Sequence, residues 1–259
     1  MSRTLADPEL DDVEVLFCDG DGNLYPSEEP AFEASCEVTN ELMESVGSSR
    51  RFEPLELRLA TTGKNFRTTA VDLVAGTGAE PLRPDELERW VREELERVTE
   101  HLAMMLRPDP EVSGPLRRLT HRYELALVTS SAAVRADACL TATHLNALFP
   151  VDLRFSAENS LPVPLSKPDP AIYDFALANS GVEPAQAVAI EDSRPGVEAA
   201  IGAGIATVGN LVFVPAAERE DRARDLREAG AFFVVETWEE LADMLERAGR
   251  RSRPVGVGR

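Results

Sequence analysis

The stretch VEVLFCDGDGNLYP, residues 13–26, joins an apolar run to two closely spaced carboxylates. Val13–Cys18 has the length and composition of a buried strand, and Asp19-Gly20-Asp21 ends that strand abruptly. A turn would be satisfied by one Asp and a Gly. Side chains at positions i and i+2 of a strand share a face, so two acids with this spacing can act together. We interpret this strand end as a candidate active site.

The composition is that of an acidic, globular protein. The chain has 259 residues, of which 43% are hydrophobic and 28% are charged, and its formal net charge is -19. Because nucleic acid and anionic membranes repel such a chain, we predict neither as a partner. The three cysteines are far apart and indicate neither a disulfide framework nor a zinc site. Residues 1–12 do not resemble a signal peptide and no apolar run reaches about 20 residues, so we expect a cytoplasmic protein.

The rest of the chain has two patterns. Residues 26–106 have helical periodicity without a strand, whereas strands and helices alternate from residue 107 onward. The strands predicted in that second part are 124–128, 153–155, 187–190, 206–208 and 232–235. The sequence therefore predicts an α/β fold, with a doubly wound, Rossmann-like core of residues 1–25 and 107–249 around an inserted α-helical cap at 26–106. The basic tail 250–259 is predicted to be disordered.

Polar and charged residues stand near the ends of the predicted strands. They are Thr129-Ser130, Glu191-Asp192 and, before a predicted helix at 170–180, Lys167. Parallel sheets of this kind bind ligands at the carboxyl edge of their strands. This set suits phosphoryl transfer, because carboxylates can bind Mg²⁺ and attack phosphorus while a lysine and a hydroxyl hold phosphate oxygens.

Four segments carry a resemblance to a known family. They are FCDGDGNLYP, LALVTSSA, LSKPDPAIYDFAL and AVAIEDSRPGVEAAIGAGI. In this order they resemble the four motifs of the haloacid dehalogenase (HAD) superfamily, in the helical-cap subgroup that includes phosphoglycolate phosphatase and β-phosphoglucomutase. The resemblance covers about residues 13–245. Asn23 is a departure, because Thr is usual at that position, but Asn offers similar hydrogen bonds to the turn.

The resemblance implies a role for each candidate residue. Asp19 would be the nucleophile and Asp21 the general acid/base, and an acid at the second position favours phosphate esters over carbon–halogen or carbon–phosphorus bonds. Mg²⁺ would be bound by the side chains of Asp19 and Asp192 and by the backbone carbonyl of Asp21. Glu191 would be either a further ligand or a neighbour of the ligands. The phosphoryl group would be held by Thr129, Lys167 and Ser130.

The helical cap usually selects the substrate in this family. Within it, TTGKNFRTT at 61–69 places Lys64 and Arg67 at a helix start. Two cations in an acidic chain could hold an anionic or hydroxyl-rich leaving group. The alternative is a helix start with two solvated basic side chains.

The leading hypothesis is a Mg²⁺-dependent phosphatase that hydrolyses a small phosphorylated metabolite through an aspartyl-phosphate intermediate, as a monomer or a homodimer. A sugar-phosphate mutase of the β-phosphoglucomutase type, or a nucleotidase, would use the same residues. A third hypothesis is a HAD-like protein that only binds a phosphorylated ligand or a protein partner. That hypothesis predicts damage to the catalytic set, which the sequence does not show.

Overall fold

The computed structural model describes residues 10–61 and 65–251, and of residues 248–251 it describes the backbone alone. Within this part of the chain, six strands form one sheet with the order β3-β2-β1-β4-β5-β6, and every pair of neighbours is parallel. The strands are β1 (Val15–Cys18), β2 (Glu124–Thr129), β3 (Arg154–Ser156), β4 (Ala187–Glu191), β5 (Ala206–Asn210) and β6 (Phe233–Val235).

Ten α-helices lie in the same described residues. They are α1 (Glu28–Ser45), α2 (Pro54–Thr61), α3 (Phe66–Thr77), α4 (Pro84–Met105), α5 (Pro110–Leu119), α6 (Ala133–Ala142), α7 (Ala171–Ser180), α8 (Arg194–Gly202), α9 (Arg219–Ala229) and α10 (Trp238–Arg251). The chain forms two compact units, one of Met1–Tyr25 with Arg107–Arg259 and one of Pro26–Leu106. The sheet and α5–α10 belong to the first unit, and α1–α4 form the second.

The central strands are apolar because both of their faces are covered. All four residues of β1 and all five of β4 are buried. Phe17 of β1 lies in register between Ala126 and Ala189 of the flanking strands. Its ring also contacts the ring of Tyr173 on α7, with 6.2 Å between the centroids. This packing is what places α7 beneath the centre of the sheet.

The helical unit has its own apolar cluster. Val38 and Leu42 of α1 pack with Val74 of α3 and Trp90 of α4, and all four side chains are buried. Helix α4 begins at Pro84, and the Glu86 carboxylate accepts a hydrogen bond from the Arg83 N–H at 3.0 Å. Proline at the first helical position and an acid that caps the first turn explain why the helix starts there.

The observed sheet and helices confirm the predicted fold class. The strands begin and end within one or two residues of their predicted bounds, and β1 starts at Val15 rather than Val13. Helix α10 extends to Arg251, two residues into the tail predicted to be disordered, and the prediction for the rest of that tail stays a prediction. Arginine is a good helix former, and the glycines and the proline that suggested disorder come later, in residues 252–259, which lie outside the described part of the chain. None of the described helices is both long enough and apolar enough to span a bilayer.

Candidate active site

The candidate residues lie where the strand order of the sheet reverses. Strands β1 and β4 are neighbours, yet β1 is followed along the chain by β2 on one side, whereas β4 is followed by β5 on the other. Asp19 comes directly after β1, Glu191 ends β4 and Asp192 follows it. Such a switch point opens a crevice at the carboxyl ends of the strands, which is where doubly wound sheets bind ligands. The topology therefore brings these three acids to one place.

The loop after β1 is held tightly against β4. The Asn23 side-chain amide donates to the Asp19 carbonyl at 2.9 Å and to the Ile190 carbonyl at 3.3 Å. Its oxygen accepts from the Asn210 amide at 2.9 Å. The Asn23 carbonyl accepts from the Trp238 indole N–H at 3.0 Å. Asn23 is buried and fully bonded, so it braces the loop in the place where Thr is usual.

Gly22 has a steric reason to be glycine. Its φ is +74°, a left-handed conformation that side chains disfavour, and a Cβ there would overlap the Asp192 carboxylate. The glycine therefore lets the loop after β1 approach Asp192 closely. Arg222 on α9 holds the same residue from the other side, because its guanidinium donates to the Asp192 carbonyl at 3.0 Å.

Lys167 lies between two buried carboxylates. Its ammonium group is 2.5 Å from Asp19 Oδ1, 2.6 Å from Glu191 Oε1 and 2.8 Å from the Val128 carbonyl. Only 6% of the lysine side chain is exposed. Burial lowers the pKa of Lys167, but the two carboxylates raise it further, so its pKa lies above the ordinary value and the group is a cation.

The same burial acts on the carboxylate beside it. The pKa of the Asp19 carboxyl is raised to about 7, because burial and the neighbouring Glu191 raise it by more than Lys167 lowers it. A nucleophilic carboxylate must be ionised to attack. Additional positive charge at this point would favour the ionised form.

Three carboxylates are grouped closely enough to hold a cation. Asp19, Glu191 and Asp192 are all buried, and each offers an oxygen within 4.8 Å of the others. The Tyr173 hydroxyl donates to Glu191 Oε1, whereas Glu191 Oε2 is buried and has no hydrogen-bond partner among the described residues. Hard divalent cations prefer such oxygen ligands. The residues present therefore fit a divalent cation.

Two hydroxyl residues lie at the end of β2 and directly after it. Thr129 is buried at the end of the strand, and its hydroxyl accepts the Ser131 N–H at 3.0 Å. The Ser130 hydroxyl accepts the backbone N–H of Lys167 at 3.2 Å. Ser130 thus contacts the predicted Lys167 directly, and Thr129 is the neighbour of Ser130 in the chain.

Asp21 has two partners that the sequence reading missed. The Ser131 hydroxyl donates to its Oδ2 at 2.5 Å, and the Arg135 guanidinium lies 3.4 Å from its Oδ1. Both residues lie within six positions after Thr129, so their place in the sequence directly after the second motif could have identified them as candidates. Arg222, Asn210 and Trp238 were also missed, because they meet the site from distant elements and no local pattern marks them.

Two of the predicted substrate-binding residues belong to the helical unit. Lys64 lies outside the described residues. Arg67 is the second residue of α3 and forms a double ion pair with Glu88 of α4, with N–O distances of 2.5 and 2.8 Å. A role of either residue in substrate binding stays a prediction.

Comparisons with known proteins identify the class. The family model described as "Haloacid dehalogenase-like hydrolase" matches residues 21–210, which is more than half of the chain. The chain belongs to this family of hydrolases, and the resemblance stated from its four motifs is confirmed.

Particular relatives narrow the class. The "Phosphorylated carbohydrates phosphatase" of Thermotoga maritima is 34% identical over 166 residues, which cover 62% of this chain and 70% of the relative. The "Validoxylamine A 7'-phosphate phosphatase" of Streptomyces hygroscopicus subsp. limoneus is 40% identical over 88 residues, or 34% of this chain and 39% of the relative. A solved structure, a putative β-phosphoglucomutase from Thermotoga maritima, has a TM-score of 0.65 and 28% identity over 91% of this chain and 99% of its own. The prediction of a HAD-like phosphoric monoester hydrolase is thereby confirmed.

Proposed function

We propose that the protein is a Mg²⁺-dependent phosphatase that hydrolyses a small phosphorylated metabolite, of the carbohydrate kind, through a phosphorylated Asp19. The observation that carries this proposal is the Asp19–Lys167–Glu191 arrangement, in which a buried carboxylate is 2.5 Å from a buried ammonium group that a second carboxylate also contacts. The name of the Thermotoga maritima phosphatase supports the choice of phosphorylated carbohydrates.

In the first half-reaction, an oxygen of Asp19 forms a bond to phosphorus while the ester P–O bond breaks. The electron pair of that bond stays on the leaving oxygen, which takes a proton from the Asp21 carboxyl. Lys167 stabilises the negative charge of the phosphoryl oxygens, and the Thr129 hydroxyl and the Ser130 N–H add hydrogen bonds. The products of this step are the free alcohol and an acyl phosphate on Asp19.

In the second half-reaction, Asp21 removes a proton from a water molecule whose oxygen bonds to phosphorus. The bond between phosphorus and Asp19 breaks, and inorganic phosphate leaves. Asp19, Asp192 and Glu191 would hold Mg²⁺ together with the Asp21 carbonyl, and the ion would supply positive charge for the carboxylates and for the phosphoryl group. The attack on phosphorus and both proton transfers are carried out by Asp19 and Asp21.

The mutase alternative rests on a specific likeness. The putative β-phosphoglucomutase is 28% identical and similar over almost its whole length. A mutase would use the same residues, but its phosphorylated Asp19 would react with a second sugar hydroxyl instead of water.

Phosphate release from a panel of esters tests the proposal. The panel includes hexose phosphates, glycerol phosphates and nucleotides, each with Mg²⁺ and with a chelator. We expect steady release from several esters with Mg²⁺ and no bisphosphate activator, and loss of release in Asp19→Asn. Isomerisation of a hexose 1-phosphate without net phosphate release would favour the mutase, and unchanged release in Asp19→Asn would exclude the assigned nucleophile.

A further inference from the structure

The carboxylate of Asp21 is held on both of its oxygens by one short segment. Ser131 Oγ donates to Oδ2 at 2.5 Å, and Arg135 Nη2 lies 3.4 Å from Oδ1. The side chains of Asp21 and Arg135 are 25% and 21% exposed, so the contact is partly screened from water without being sealed. Two bonds from different directions restrict rotation of the carboxylate more than either does alone.

The segment that makes these contacts is itself fixed. The Ser131 N–H donates to the Thr129 hydroxyl at 3.0 Å, and the Ser131 carbonyl accepts from the Ser156 hydroxyl at 2.7 Å. The next residues start helix α6, where the Ala133 N–H donates to Asn159 Oδ1 at 2.8 Å. Backbone contacts on both sides of Ser131 therefore determine where its hydroxyl points.

We propose that Ser131 and Arg135 are positioning residues, which hold the Asp21 carboxyl in the orientation needed for proton transfer. The proposal rests on the proposed function, in which Asp21 protonates the leaving oxygen. A general acid is useful only when its proton is within hydrogen-bond reach of the acceptor, so geometry limits it first. Neither residue exchanges a proton with the substrate; each keeps the Asp21 carboxyl from turning away.

This role has a chemical signature. A sugar or glycerol alkoxide is a poor leaving group and needs its proton as the P–O bond breaks, whereas 4-nitrophenolate leaves readily without one. Loss of Asp21 orientation should therefore lower kcat/KM far more for alkyl phosphates than for 4-nitrophenyl phosphate, because kcat/KM reports the first half-reaction and not the water attack that both esters share. A general loss of structure or of active enzyme would slow both esters equally, so the ratio of the two rates in one preparation is independent of how much protein is folded.

The experiment measures kcat and KM for both esters in Ser131→Ala, Arg135→Gln, Asp21→Asn and the wild type. The alkyl ester is the one that the wild type hydrolyses best among those tested. We expect Asp21→Asn to lower kcat for this ester by about 10²–10⁴-fold. Ser131→Ala and Arg135→Gln should lower kcat/KM for the same ester by roughly ten-fold or more, with a much smaller loss of kcat/KM on 4-nitrophenyl phosphate.

Control, rescue and double variants test whether the effect on the ratio of rates is specific to the contacts with Asp21. Ser113→Ala and Arg118→Gln serve as controls, because Ser113 lies on α5 and Arg118 pairs with carboxylates of α10, so both should keep the wild-type ratio of rates. Ser131→Thr retains the hydroxyl and should recover most of the lost rate. Adding Ser131→Ala to Asp21→Asn should cost little more, because the two residues act as one unit.

The outcomes separate this inference from the proposed function. If Asp21→Asn lowers kcat/KM equally for both esters, the role of Asp21 in protonating the leaving oxygen is wrong. If Asp21→Asn changes the ratio but neither Ser131→Ala nor Arg135→Gln does, the proposed function stands and the positioning role is overturned. A loss in the double variant equal to the product of the single losses would also overturn it.

Discussion

Replacement of Lys167 by Met tests the buried charge arrangement most directly. Methionine has a similar length and keeps most of the packing, but it removes the ammonium group that lies 2.5 Å from Asp19 and 2.6 Å from Glu191. The two carboxylates would then face each other without compensation in a place where the Asp19 side chain is 11% exposed and that of Glu191 is fully buried.

The size of the effect follows from that burial. Removal of one partner of a buried ion pair costs about 3–5 kcal/mol, because the remaining charge is left desolvated. At roughly 2–4 °C per kcal/mol for a chain of this size, the melting temperature should fall by about 10 °C. Mg²⁺ should recover part of this loss, because it would supply positive charge to the same carboxylates.

The assay is thermal unfolding with a chelator and with Mg²⁺, next to phosphate release. Arg247→Met is the control, because Arg247 forms an exposed i,i+4 pair with Asp243 at 3.1 Å and its side chain is 77% exposed. Such pairs contribute about 0.3–0.5 kcal/mol. If Lys167→Met unfolds at the same temperature as this control, or keeps wild-type kcat, the account of Lys167 as the compensating cation and phosphate ligand is wrong.

Four other variants have distinct expected results. Gly22→Ala and Gly181→Ala should each lose about 1–2 kcal/mol from left-handed strain, but only Gly22→Ala should also need more Mg²⁺ for half-maximal activity, since a Cβ at Gly181 contacts nothing within 4 Å. Asp192→Asn should abolish the rise in melting temperature that Mg²⁺ gives the wild type; an undiminished rise would place the cation elsewhere. Asn23→Ala should lower the free energy of unfolding in urea by about 1–3 kcal/mol, because the Asn210 amide and the Asp19 carbonyl lose their bonds to Asn23, and a neutral result would contradict the bracing role.

The sheet and the site acids were predictable for one physical reason. Parallel strands buried on both faces read as short apolar runs, and the residues that end such runs must meet at one edge of the sheet. Asp19, Thr129 and Asp192 could thus be grouped although more than 60 residues separate them. The helices α1–α4 were predictable in the same way, from apolar periodicity and from proline at helix starts.

Other parts of the site leave no local pattern. Nothing in the sequence around Tyr173 indicates that its hydroxyl donates to Glu191, because on α7 it looks like an ordinary apolar helix residue. Asn210 and Trp238 reach Asn23 across 187 and 215 residues. Contacts of this kind depend on the register of distant elements, which periodicity does not determine.

The sequence points to Ser131 and Arg135 only in part. Both stand close to a recognised motif, but their role depends on the direction in which the turn after β2 sends helix α6. The structure shows that the two acids after β1 differ in their surroundings. Asp19 is buried against Lys167, whereas Asp21 is half-buried and is held by the Ser131 hydroxyl and the Arg135 guanidinium. A buried acid beside a cation suits attack on phosphorus, and an oriented acid within reach of water suits proton transfer. These different surroundings support the proposed roles of Asp19 in attack and Asp21 in proton transfer, and the contacts of Asp21 come from residues that lie outside the first motif.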